Sequence, residues 1–322
     1  MAKPATTRRL TLSTLTPRLA ATKVFHCISE QRKALTVAGK LQCGVYKPTN
    51  VISASYGQSE ADLPIGYTKR QCNEFMKLGL QGHSILFASG DYGVASFAGD
   101  GDKNGCLGPE GKIFNPQYPS NCPYVTSVGG SMLYGYQTVN DSESVMHVNL
   151  GGTATNFSTS GGFSNYFPQP AYQVAAVAEY FETANLSYPY YSEFQVDVNT
   201  TKGLYNRLGR AYPDVSANGA NFRAYMDSYD YHWYGSSLAS PLFASVLTLV
   251  SQASCCEDIA NDCSSTRNVL RLARDLSVSS TLPSTLIPRF LMISPTVLMP
   301  GAEPTASALL TGKFLAHCQG VS

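Results

Sequence analysis

The chain has 322 residues, of which 43% are hydrophobic and only 14% charged, with a net charge of +1. Low charge together with 20 Tyr and 14 Phe excludes a disordered chain. The near-neutral balance gives no electrostatic basis for nucleic acid or an acidic membrane as partner, and no apolar run is long enough to span a bilayer.

Residues 1–42 are rich in Lys and Arg, with Glu30 as their single acid. They contain no apolar core of the kind a signal peptide needs. They read as a segment outside the domain, and residues 43–250 as the domain proper. Asn50–Tyr56 predicts a short apolar strand, followed by an acidic turn over 59–64. Thr68–Leu80 fits an amphipathic helix with Cys72, Phe75, Met76 and Leu80 on one face, ended by Gly82. Ser84–Ala88 is wholly apolar after its first residue, as a buried parallel strand requires. Ser89-Gly90-Asp91-Tyr92-Gly93 then turns at its C-terminal end, where α/β sheets place their chemistry.

Further on, 97–120 reads as a polar loop and Tyr124–Val128 as a strand closed by Gly129-Gly130. Tyr172–Tyr180 fits a short helix, and Asp214–Ala217 a strand end. Glu193 and Asp197 flank an alternating stretch that reads as an edge strand or loop. Gly235-Ser236-Ser237 leads into an apolar helix over Pro241–Ser251, with proline in its first turns. Beyond 251 the periodicity fades, and 251–322 stands as a divergent segment.

The motif Gly235-Ser236-Ser237-Leu238-Ala239-Ser240-Pro241 carries the most chemistry. A serine in a small-residue turn at a helix start exposes its Oγ beside backbone N–H groups and the helix dipole, which suits a nucleophile. Taken alone, it equally describes a serine-capped helix, the commoner case. None of His26, His83, His147, His232 and His317 lies in a context that marks a general base. Asp100-Gly101-Asp102 begins like a calcium-binding EF-hand loop, but the twelfth loop position is Gly111 and not the required glutamate.

The nine cysteines lack zinc-site spacing. Cys43/Cys72 and Cys106/Cys122 are the disulfide pairs expected from the sequence. With sequons at Asn140, Asn156, Asn185 and Asn199, they favour the secretory route.

The segments 43–57, 60–64, 70–82, 84–94, 114–130, 157–173 and 210–219 occur in one order that resembles the sedolisins, or serine-carboxyl peptidases, and most of all the secreted fungal tripeptidyl-peptidase-like members. The resemblance implies an α/β fold, a subtilisin-like parallel sheet flanked by helices, incomplete at both ends. It implies Ser237 as nucleophile and Asp91 as the oxyanion-hole acid, which donates only when protonated and so works at low pH. Ser160, Gly161 and Gly162 would line the substrate cleft, with a peptide or unfolded protein as substrate and a monomer as the expected state.

Two family features are missing. The base pair is a Glu and an Asp four residues apart, upstream of the first strand, where the residue four after Glu30 is Ala34. Glu193 and Asp197 have that spacing but lie between Asp91 and Ser237. The calcium ligands are also missing: the chain reads Met299-Pro300 where the family has Asp-Ile, so no metal or other cofactor is expected. Two readings follow. One is a peptidase whose present sequence is incomplete or misassembled; the other is an inactive homologue that binds peptides or a partner.

Overall fold

The computed structural model describes residues 36–37, 40–41, 48–97, 105–138, 140–148, 157–184, 186, 188–257 and 291–292. The chain divides into Met1–Pro48 and Thr49–Ser322. In the first unit, Thr36–Val37 pairs antiparallel with Lys40–Leu41.

The second unit is built on one sheet. Its elements in chain order are β1 (Val51–Ala54), α1 (Ile65–Leu80), β2 (Ser84–Ala88), β3 (Thr126–Met132), β4 (Ser144–Val145), β5 (Gly162–Pro168), α2 (Val174–Ala184), β6 (Gly209–Tyr212), β7 (Val215–Asn218), β8 (Phe222–Met226), β9 (Tyr229–Trp233), α3 (Ser236–Glu257) and β10 (Leu291–Met292). The spatial order is β10-β7-β3-β2-β1, with β4 beside the end of β3. Strands β1, β2, β3 and β7 are mutually parallel, and β4 and β10 are antiparallel additions. This is the α/β architecture expected, a parallel sheet flanked by helices.

Strand β2 is buried on both faces because successive side chains point to opposite sides. Leu86 joins Val128, Val215 and Ala217 in a cluster that Ala239, Phe243, Ala244 and Leu247 of α3 complete. Phe87 faces the other way and meets Phe75 of α1, ring centroids 5.4 Å apart. The apolar run of β2 thus exists to hold one helix on each face.

Several expectations shift. Helix α1 begins at Ile65, directly after Pro64, rather than at Thr68. Strand β3 runs through Gly129 and Gly130 to Met132 instead of stopping there. A Cβ at 129 would lie 2.9 Å from Pro213 Cγ, and one at 130 would lie 3.0 Å from Met146 Cε. These glycines serve close packing within the strand. Helix α2 follows a 3-10 turn over Ala171–Gln173 and extends to Ala184. Of the two alternatives for Glu193–Asp197, edge strand or loop, the structure takes the loop: Gln195 has φ 59 and no ladder passes through the stretch.

Helix α3 starts five residues before Pro241. The expected disulfide pairs are also corrected: Cys72 on the buried face of α1 is bonded to Cys122, Cα to Cα 5.7 Å. The helix carries Cys72 inward, to the turn that follows Gln117–Tyr118, and that turn presents Cys122 rather than Cys106. Cys106 is disulfide-bonded elsewhere and packs with Val94 and Phe114. Cys43 lies outside the described residues. Among the described residues no helix is long and apolar enough to cross a membrane.

Candidate functional site

The site forms where the C-terminal ends of the parallel strands meet the start of α3. After β2 the chain reverses through Gly90 at φ 109 and Gly93 at φ 63, values that glycine adopts without strain. The reversal turns Asp91 towards residues 235–237. The Ser236 N–H donates to Asp91 Oδ1 at 2.7 Å, and the Ser236 hydroxyl is 2.9 Å from the same oxygen. Burial pushes the Asp91 carboxyl above its ordinary pKa, while the two Ser236 contacts pull it down.

Ser237 is half-buried, and its N–H belongs to the first turn of α3, where backbone donors have no helical acceptor. Its Oγ makes no hydrogen bond among the described residues. Pro241 cannot supply the N–H that the Ser237 carbonyl would accept in a regular helix; the Ser55 hydroxyl, at the end of β1, donates to that carbonyl at 2.7 Å instead.

Residues 158–161 lie along the Asp91 turn. Ser158 N–H donates to Asp91 O at 3.1 Å, Gly93 N–H to Ser158 O at 3.1 Å, Ser160 N–H to Gly90 O at 2.7 Å and Gly161 N–H to Gly93 O at 3.1 Å. The Ser160 side chain is buried and its Oγ accepts from Tyr92 N–H at 2.9 Å, so it braces the turn. Gly161 is closely packed: a Cβ there would sit 3.1 Å from the Tyr212 carbonyl oxygen, a tight contact. Gly162 opens β5 at φ 154. The fold therefore gathers Asp91, Ser160, Gly161 and Ser237, which come from three widely separated segments of the sequence.

Other expected groups lie elsewhere. His83 Nδ1 is 2.9 Å from the Thr49 carbonyl oxygen, His147 is hydrogen-bonded to Ser158 Oγ, and His232 is exposed on β9. Among the described residues no three His, Cys, Asp or Glu side chains gather as a metal site. The segment read as lacking calcium ligands lies outside the described residues, apart from 291–292.

Sequence reasoning passed over two residues. Ser236 stood inside the motif but drew no role beside Ser237. Glu60 read as part of a polar turn, yet it is 1% exposed. It accepts from Asn121 Nδ2 at 2.6 Å, from Asn165 N–H at 2.7 Å and from the Ser164 hydroxyl. Burial raises its pKa to about 7. Nothing in the local pattern marks it, because its partners come from residues 121 and 164–165.

No protein-family model matches the chain. It is 50% identical over 213 residues to Aorsin of Aspergillus oryzae, covering 66% of this chain and 32% of that protein. It is 46% identical over 218 residues to tripeptidyl-peptidase sed1 of Aspergillus fumigatus, with the same coverage of 66% and 32%. The chain thus spans about a third of the length of the curated relatives it matches. A solved Pseudomonas sedolisin (serine-carboxyl proteinase), complexed with two molecules of pseudo-iodotyrostatin, superposes with a TM-score of 0.49 at 23% identity, covering 71% of this chain and 54% of that one. The resemblance to sedolisin-type fungal tripeptidyl-peptidases read from the sequence is borne out by the two Aspergillus relatives.

Proposed function

We propose that this sedolisin-like chain carries the nucleophile and oxyanion sides of an acid-acting serine peptidase centre, with Ser237 as nucleophile and Asp91 as oxyanion-hole acid. The observation that carries the reading is the junction at residues 235–237, where the Asp91 carboxyl and the Ser237 N–H flank one glycine. Ser237 Oγ adds to the carbonyl carbon of a peptide and loses its proton to a base. The carbonyl oxygen becomes an oxyanion, held by Ser237 N–H and by protonated Asp91. Collapse breaks the C–N bond, the amine leaves with a proton, and water hydrolyses the ester in a second round.

The raised pKa of Asp91 keeps it protonated further up the pH scale than a solvated aspartate, which matches work in an acidic medium. Ser160, Gly161 and Gly162 form the wall of the cleft by their backbone, with Ser160 bracing the turn. Peptides are the proposed substrates, with tripeptidyl or internal cleavage at acidic pH, and no metal is proposed. Exposed sequons at Asn140 and Asn199, together with the Cys72–Cys122 bond, support passage through the secretory route.

A second reading is a non-catalytic homologue that holds peptides in the same cleft. It is favoured by the absence of any side-chain hydrogen bond to Ser237 Oγ among the described residues. The test is a carbonyl-13C-labelled peptide aldehyde, followed by hydrolysis of tripeptidyl substrates at acidic pH. A hemiacetal signal that disappears in Ser237→Ala supports the nucleophile. If the signal persists in Ser237→Ala, or never forms, the nucleophile reading falls. An adduct without turnover selects the second reading.

A further inference from the structure

We propose that Ser236 is the positioning residue of this site, fixing Asp91 through Oδ1 so that Oδ2 carries the proton and converges with the Ser237 N–H over Gly235. The inference rests on the reading of Asp91 and Ser237 given above and adds a division of labour between the two carboxyl oxygens.

Ser236 is fully buried. Its Oγ accepts from Gly90 N–H at 3.0 Å and lies 2.9 Å from both Gly90 O and Asp91 Oδ1. One hydroxyl proton serves one of these two acceptors. Gly90 O already accepts from Ser160 N–H at 2.7 Å, and a carboxylate is the stronger acceptor. The proton therefore goes to Oδ1, which then holds two donors from one residue, the Ser236 hydroxyl and the Ser236 N–H.

An oxygen already facing two donors cannot also carry an acidic proton without opposing one of them. When Asp91 is neutral, its proton sits on Oδ2. That oxygen faces Gly235. A Cβ built there would lie 3.4 Å from Oδ2, against 3.7 Å from Oδ1, and 3.6 Å from Ser237 N. Gly235 stands at φ 151, a conformation side-chain-bearing residues rarely adopt. The missing side chain leaves one small volume that the Oδ2 proton and the Ser237 N–H both border. No side chain blocks the approach over Gly235, and an oxyanion that comes in there, in van der Waals contact with Gly235 Cα, receives both donors without rotating the carboxyl.

The experiment titrates 13C-carboxyl-labelled Asp91 by NMR in the full chain and measures the aldehyde hemiacetal in parallel, for the native protein, Ser236→Ala and Ser236→Thr. The hydroxyl stabilises the charged form of Asp91, so Ser236→Ala is expected to move the Asp91 midpoint upward and weaken the aldehyde adduct about tenfold, one hydrogen bond's worth. Ser236→Thr keeps the hydroxyl and is expected to restore both. Far-UV circular dichroism identifies variants that fail to fold. If Ser236→Ala does not fold, Ser236→Thr and Ser236→Cys carry the comparison, with Cys expected to behave as the weaker donor. An adduct and a midpoint both unmoved by loss of the hydroxyl overturn the proposal. A moved midpoint with no adduct in any variant leaves Ser236 as the anchor of Asp91 and removes the peptidase reading.

Discussion

The hydroxyl of Ser55 donates at 2.7 Å to the carbonyl of Ser237, 182 residues away, and takes the place of the N–H that Pro241 lacks. A proline inside a helix frees the carbonyl four residues earlier, and a freed carbonyl needs a donor. Strand β1 supplies it and so ties the first strand of the sheet to the turn bearing Ser237. Ser53 Oγ, 3.0 Å from Ser240 Oγ, makes a second tie between the same elements.

Ser55→Ala is therefore expected to lower stability by about 1 kcal/mol. In a Pro241→Ala background the helix regains its own donor to the Ser237 carbonyl, and the cost of Ser55→Ala should shrink. A double-mutant cycle by urea denaturation measures the coupling. Equal costs in the two backgrounds would show that Ser55 acts through something other than that carbonyl.

Glu60 predicts a fall in stability as pH rises. Its carboxyl, ordinarily near 4.5, titrates at about 7 when folded, chiefly because burial disfavours its charged form. The folded value is the higher one, so the unfolded chain releases this proton first. The contribution is complete below pH 4.5 and is lost as the pH climbs through about 7, a change on the order of 3 kcal/mol. Turning the Asn121 amide end for end lets neutral Glu60 donate to Asn121 Oδ1, which has no partner in its present orientation. Melting temperature against pH should slope downward in this window for the native chain and flatten in Glu60→Gln. An unchanged slope in Glu60→Gln would place the dependence in another group.

What was legible in the sequence was local. The run Ser84–Ala88 announces a buried parallel strand, and Ser89–Gly93 a turn at its chemical end, because period and turn chemistry act over a few residues. The same locality hides the rest. Pro241 looks like a helix start until Ser55 is seen to satisfy the carbonyl it frees. Gly129-Gly130 looks like a strand end until Pro213 and Met146 are seen to need the space. Glu60 looks like a surface acid because its partners, Asn121, Ser164 and Asn165, arrive from distant parts of the chain. Ser236 was in view within its motif, but only the fold brings Asp91 against it.

Peptide mapping under non-reducing conditions should recover Cys72 linked to Cys122. The bond closes a loop with a sequence separation of 50. Chain-entropy reasoning gives such a loop about 4 kcal/mol of stabilisation. Cys72→Ser and Cys122→Ser should lose similar amounts, and the double variant little more than either. A Cys43–Cys72 peptide would contradict the fold around α1.

Two glycines should respond in opposite directions to alanine. Gly79 lies near the end of α1 with nothing within 4 Å of an added Cβ. Gly79→Ala restricts the unfolded chain at no steric cost, and is expected to stabilise by up to about 1 kcal/mol. Gly209 opens β6, and an added Cβ there meets the backbone of Ser164, overlapping its carbonyl oxygen and lying 2.9 Å from its nitrogen. Neither atom can rotate away as a flexible side chain would. Gly209→Ala must push β5 from β6 and is expected to cost at least about 2 kcal/mol. Because Ser164 also holds Glu60, the displacement should loosen that carboxyl. Thermal melts at two pH values test both consequences. A Gly209→Ala variant with native stability at both would show that the close approach of β5 and β6 is not needed to hold Ser164 on Glu60.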